Sequence, residues 1–194
     1  SPQGQLPISL LAHAAPIYRL AAEVADVVFI TPDSVSKRAG ASRGRSAAEI
    51  VAAVRAAEVA SDRASRGLAP LRIVADLVIG LDSAAESAAD RLERLNGLAG
   101  APYERDTRVF VGSAEDAADL IAEWQAAGVE GVRLRPLSLP ADLTEIGQHL
   151  LPVLRDRTIL TAADEPRDLR AHFGLAPAVN VHTASLSPST EASA

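Results

Sequence analysis

GSAEDAADLIAEWQAAGVEGVRLRP, residues Gly112 to Pro136, decides the fold. Ser113 and Asp116 stand at capping-box spacing, where a hydroxyl and a carboxylate satisfy backbone N–H groups that a first helical turn leaves unpaired. Ala117, Leu120, Ile121 and Trp124 then fall on one helical face. Gly128 supplies the left-handed residue that ends a helix at little steric cost, and Val132 and Leu134 follow as a strand pair until Pro136 removes a ladder donor. Capped helix, glycine stop and short apolar strand make one αβ step of a barrel or doubly wound sheet.

Outward from this segment the same step recurs. Ile8–Ala12 is a short apolar run, followed by a helical face made by Ile17, Leu20, Ala21 and Val24 within Pro16–Ala25. Val27–Ile30 is a second strand, stopped by Thr31-Pro32-Asp33. Ser46 and Glu49 open a helix to about Ser65, with Ile50, Val54 and Ala57 inward and Gly67 and Pro70 closing it. Leu71–Leu81 is the third strand, and Ser83 with Glu86 caps the next helix, which carries Ala88, Leu92 and Leu95. After the strand at Gly131 comes one helix over Pro140–Arg155, whose last turn Pro152 kinks or shortens, and another over Glu165–Phe173. Four strands apolar on both sides and separated by helices are the pattern of a parallel sheet. A complete (βα)₈ barrel takes about 250 residues and eight strands; the fold class is therefore α/β, a partial TIM (β/α)₈ barrel of about four parallel strands. Residues 1–182 form the half-barrel domain, and 183–194, small, polar and aperiodic, form a disordered tail.

Composition excludes several function classes. The 194 residues carry a net charge of −6, which disfavours a nucleic-acid partner. No run approaches the roughly 20 apolar residues of a membrane span, and the start lacks a signal-peptide pattern. With no cysteine as well, the expected location is cytoplasmic. Four cations among small residues in Ser36–Ser46, SKRAGASRGRS, read as a solvated loop, or as one that closes over an anionic ligand. His149, His172 and His182 share no metal-ligand spacing, and no P-loop, nucleophile elbow or dinucleotide fingerprint is present.

Three blocks resemble the C-terminal half of the bacterial-luciferase-like flavin monooxygenases, in the branch that includes the nitrilotriacetate and dibenzothiophene-sulfone monooxygenases. They are SPQGQLPISLLAHAAPIYRLAAEVADVVFITP (Ser1–Pro32), FVGSAEDAADLIAEWQAAGVEGVRLRPLSLPADL (Phe110–Leu143), and DLRAHFGLAP (Asp168–Pro177) with Asn180. The resemblance implies a barrel that binds reduced FMN, or in related branches the deazaflavin F420, and uses dioxygen to oxidise a small organic substrate. It also implies that this half is inactive without an N-terminal half-barrel chain or a homo-oligomeric partner. In the family the loop after the fifth strand helps to hold the flavin phosphate. Leu11–Arg19 matches that loop, one residue shorter and without its serine and two glycines. The resemblance thus assigns His13, Ala14, Ala15, Tyr18, Arg19 and Thr31 to cofactor binding. Loss of the serine and glycines favours the alternative, a non-catalytic partner that pairs its open sheet edges with itself or another chain.

Other candidates rest on position. His13 lies just past a strand end, where barrel enzymes place ligand groups, or is a histidine hydrogen-bonded at the rim. Thr31 reaches a flavin edge or, with Asp33, makes an ordinary turn. Arg133 and Arg135 share one face of the last strand. Either they pair with carboxylates such as Asp76 or Glu130, or Arg135 reaches the barrel mouth toward an anionic ligand.

Overall fold

Ten β-forming residues, Arg72–Leu81, make the longest strand (β3), and the other strands are laid along it. The computed structural model describes residues 5–34, 44–160 and 168–177. The remaining strands are β1 (Ser9–Leu11), β2 (Val27–Ile30), β4 (Val109–Gly112) and β5 (Gly131–Pro136), and every pairing is parallel. β5 takes one edge of β3, from Val74 to Ile79. The other edge is shared in succession: β2 pairs with Arg72–Ala75 and β4 with Val78–Leu81. The sheet is thus a four-strand wall, β1-β2-β3-β5, with β4 added beyond the end of β2. That short fifth strand escapes the sequence reading because its four residues follow the turn-rich stretch 100–108 without an alternation of their own.

Helices α1 (Ala15–Val24), α2 (Ala47–Ala60) and α4 (Ala114–Ala126) bury one face of this wall. Val28, Ile30, Ile73, Ala75, Leu77 and Ile79 project into a core shared with Tyr18, Ile50, Val54, Ile121 and Trp124. Ser46 forms the expected capping box with Glu49, and Ser113 accepts from the Asp116 N–H at 3.1 Å. Gly128 ends the α4 step at φ +98.

Three local expectations are corrected. Helix α3 (Ala88–Ala99) is capped by Ser87 with Asp90, not by Ser83 with Glu86. SAAESAAD repeats the capping signal, and the Ser83 hydroxyl closes a turn onto the Ala85 and Glu86 N–H groups. The Asp82 carboxylate then takes the Ala88 N–H at 2.7 Å, which places the helix start at the second copy. The helix begun at Ser46 ends at Ala60 and continues as turns to Gly67, not as helix to Ser65. The Pro140–Arg155 helix is three pieces: α5 (Ala141–Glu145), a π turn (Ile146–Leu150) and α6 (Leu151–Asp156). Pro152 cannot donate to a carbonyl four residues back and its ring would press on it. The wider π spacing just ahead of it relieves that conflict, so the chain stays helical to Asp156. Of the last predicted helix, α7 (Leu169–His172) is described, capped by Asp168; residues 161–167 and the 183–194 tail lie outside the described residues.

Arginines bolt the end of the sheet where the strands begin. Arg63, 3% exposed, donates to the Ala22, Ala25 and Ala69 carbonyls, supplying partners to carbonyls around the end of α1. Desolvation lowers its pKa, against the opposing pull of Glu58. Arg55 and Arg72 both bind Glu130, at 2.9 and 2.7 Å, and Arg72 also donates to the Phe173 carbonyl.

Candidate functional site

The opposite end of the sheet, where the strands terminate, is built differently. In open and closed parallel α/β sheets this end holds ligands, because the loops there are free of the packing that fixes the strand starts. β1 and β2 finish side by side, with the Ala12 N–H donating to the Phe29 carbonyl at 2.9 Å. His13, Ala14, Ala15 and Arg19 are exposed around the start of α1. Ala14 gives α1 no side-chain cap, Pro16 has no N–H, and the Ile17 and Tyr18 N–H groups bond to the Ala14 carbonyl. Among the described residues, the N–H groups of His13, Ala14 and Ala15 donate no hydrogen bond. Free N–H groups at a helix start, beside an imidazole and a guanidinium, form a donor set of the kind that suits a phosphate.

Thr31 ends β2 as a buried residue, and Tyr18, 1% exposed, lies in the core beneath the loop. Burial raises the Tyr18 pKa, and the nearby Arg45 guanidinium opposes that rise through a hydrogen bond. His13, Ala14, Ala15 and Arg19 are thus exposed, whereas Tyr18 and Thr31 are buried.

Asp33 is more than a turn residue. At φ 51 it occupies the left-handed region, its N–H donates to the Arg45 carbonyl, and its carboxylate accepts from Arg108 at 3.0 Å and Trp124 at 3.4 Å. It sits where β2 leaves the β3 edge and β4 takes over. The Asp33–Arg108 pair closes that handover. Sequence shows only a turn here, because the partners lie 75 and 91 residues away.

The sheet face turned away from α1, α2 and α4 carries charge. Asp76, 1% exposed, receives both Nε and Nη2 of Arg133, each at 2.5 Å, and the guanidinium lies 4.3 Å from the Phe29 ring centroid. The fork satisfies the buried carboxylate and raises the Arg133 pKa further. Arg133 therefore takes the pairing alternative with Asp76, while Glu130 is engaged by Arg55 and Arg72. Arg135, one step up the same face and in register with Val78, is exposed and makes no ion pair among the described residues.

Two residues beyond Arg135, Leu137 lines an open cavity of about 690 Å³, together with Leu92, Leu95, Asn96 and Ala99 of α3 and residues 101–105. A Cβ added to Gly80 would lie 3.0 Å from Leu137 Cδ2, which places that leucine over the same face as Asp76 and Val78. Leu137 is held from behind. Asp142, fully buried, accepts from the Ser138 N–H at 2.7 Å, the Ser138 hydroxyl, the Leu81 N–H and Arg91 at 2.7 Å. Neither this clamp nor the cavity is visible in sequence: the clamp joins Asp142 to Arg91 and Leu81, 51 and 61 residues away, and the cavity joins α3 and residues 101–105 to Leu137. His149 faces Glu145 on the π turn, and no group of three potential metal ligands exists among the described residues.

No family model matches the chain. Among solved structures, a long-chain alkane monooxygenase aligns with 90% of this chain at a TM-score of 0.66 and 16% identity. The EDTA monooxygenase of Chelativorans sp. BNC1 aligns with 92% at 0.63 and 18% identity. A riboflavin lyase, crystallised with modified FMN and riboflavin, aligns with 93% at 0.66 and 19% identity. The fold is half of the barrel of these structures. The half-barrel covers 46%, 51% and 50% of those three chains. In sequence, 77 of its residues are 32% identical to the N-acetyl-S-(2-succino)cysteine monooxygenase of Bacillus subtilis (strain 168), matching 39% of this chain and 18% of that one. Among the described residues, no helix is long and apolar enough to cross a membrane.

Proposed function

We propose that this chain is the C-terminal half-barrel of a flavin-dependent monooxygenase that oxidises a small organic substrate, and that its activity requires a complementary half-barrel. The observation that carries this reading is the four-strand parallel wall, which ends in an open donor-rich rim on one side and an apolar cavity on the other. The half-length matches to monooxygenase structures support it. Reduced FMN, or F420 as the alternative, would supply the electrons with which dioxygen oxidises the substrate. The free N–H groups of His13, Ala14 and Ala15, with His13 and Arg19, would hold its phosphate. Thr31 and Tyr18 would brace the same loop from below.

The need for a second half follows from the sheet. β1 and β5 each have one strand partner among the described residues, and Leu6, Ile8 and Leu11 around β1 are exposed. Parallel sheets are covered on both faces in folded proteins, and open edges invite pairing. The test is a fluorescence titration of FMN, and separately of F420, with the chain alone and with the chain co-expressed with an N-terminal half-barrel. Quenching that appears with the complemented barrel and weakens in H13A/R19A supports the proposal. Absence of quenching with both preparations overturns it.

A further inference from the structure

We infer that the end of β5 holds a binding site for an organic anion with an apolar body: Arg135 takes the anionic group and the cavity between α3 and residues 101–105 takes the body. The first observation is the charge. Of the three arginines carried by the strands, Arg72 is paired with Glu130 and Arg133 with Asp76, whereas Arg135 has no carboxylate within ion-pair distance among the described residues. Arg133 occupies both oxygens of Asp76, so that carboxylate has no second fork to offer Arg135. A cation left unpaired on a sheet face, in a chain of net charge −6, is a poor contributor to folding and a good anion receptor.

The second observation is the space beside it. Arg135 and Leu137 follow each other at two-residue spacing, and Leu137 extends the ladder by donating its N–H to the Ile79 carbonyl. Leu137 then forms a wall of the cavity, so Arg135, two residues before it on the strand, and that wall belong to one face of one strand end. A volume of about 690 Å³ falls within the roughly 300–1,000 Å³ of small-molecule pockets. Leu92, Leu95, Pro102 and Leu137 give the pocket its apolar lining; Asn96 Oδ1 is already engaged by the Tyr103 N–H at 2.7 Å, and of the two charged residues in the lining, Glu104 and Arg105, the Arg105 guanidinium stacks on the Tyr103 ring and donates to its hydroxyl. The ligand class is therefore a carboxylate or sulfonate on a hydrocarbon or aromatic frame. As a substrate site this rests on the monooxygenase reading, but anion binding itself requires no flavin.

Two probes of nearly the same shape test it without flavin: 8-anilinonaphthalene-1-sulfonate and the neutral N-phenyl-1-naphthylamine, titrated into the chain by fluorescence. R135Q is expected to weaken the sulfonate by about tenfold or more, the worth of a charge-assisted contact, while changing the neutral probe less than about twofold. R135K retains most sulfonate affinity. A99W, a substitution at an exposed position lining the cavity, weakens both probes. Matching far-UV circular dichroism spectra and urea midpoints establish that the variants are folded. The inference is overturned if the wild-type chain binds neither probe, if R135Q leaves the sulfonate unchanged or weakens both probes equally, or if A99W changes neither. Flavin quenching does not enter these titrations, so their failure and that of the monooxygenase reading are distinguishable.

Discussion

Replacing Asp142 with alanine should destabilise the chain by about 4 kcal/mol, because breaking a buried ion pair from one side costs about 3–5 kcal/mol. The structure gives the reasons. Asp142 is fully buried, and so is Arg91, at 3% exposure; Arg91 Nε has no partner. Without the carboxylate, the Arg91 guanidinium keeps the Leu81 carbonyl and a Glu86 oxygen 3.9 Å away. The Leu81 and Ser138 N–H groups lose their acceptor, at about 1–3 kcal/mol for each donor left dry. Some of this is recovered by water entering the space, which is why the estimate stays near the cost of the broken pair alone. With a urea m-value of about 2 kcal/mol/M, the unfolding midpoint should fall by about 2 M, read by circular dichroism at 222 nm. The double variant R91L/D142L should be less destabilised than the sum of R91L and D142L, since removing both charges leaves neither uncompensated. A loss below about 1 kcal/mol for D142A, or strict additivity in the cycle, would refute the assignment of Asp142 as the clamp that joins β3, α3 and the Leu137 loop.

Tyr18 links stability to alkaline pH. Its folded pKa is raised above 10.0 chiefly by burial, so the folded chain holds a proton that the unfolded chain gives up. Its contribution is full below the unfolded value and is lost as pH rises through the folded one. Thermal melts above pH 10 should show a decline that Y18F reduces, and equal slopes for the two proteins would refute it. Two glycines should respond to alanine with opposite signs. Gly128, at φ +98 and with Val51 Cγ1 3.1 Å from an added Cβ, should lose about 1 kcal/mol or more. Gly97, inside α3 with open space around it, should gain about 0.5–1 kcal/mol. Urea denaturation compares them, and a stabilised G128A would contradict the backbone assignment.

What was legible in the sequence is what local chemistry determines. The capping signals at Ser46 and Ser113, the stop at Gly128 and the apolar strands are short-range facts, and the parallel wall follows from their order. The repeated SAAESAAD signal misled at α3 because the deciding group, Asp82, stands outside the capping motif. The candidate site was legible only in outline. Spacing places Arg133 and Arg135 on one face, but register is what gives Asp76 to Arg133 and leaves Arg135 without it. Asp142 gave no signal at all, since an aspartate at a helix start has an ordinary local explanation, the favourable helix dipole, that hides its role as acceptor for two other segments.

The two ends of this sheet use arginine in opposite ways, and the difference separates folding from function. Where the strands begin, Arg55, Arg63 and Arg72 are spent on carboxylates and orphan carbonyls, and each contact ties one helix or loop to another. These pairs fix the strand starts, so a ligand there would compete with the fold itself. Midway, Arg133 neutralises Asp76 and covers Phe29. That pair places a polar layer on the face of the sheet turned away from α1, α2 and α4. At the strand ends Arg135 has no such obligation, and the chain there is held by Asp142 through backbone N–H groups rather than through the rim side chains. Under the proposed reading, a clamp behind the wall and a cation without an ion pair among the described residues in front of it let the rim exchange ligands without loosening the core. Sequence change at Arg135 or along the cavity should therefore alter what binds long before it alters whether the chain folds.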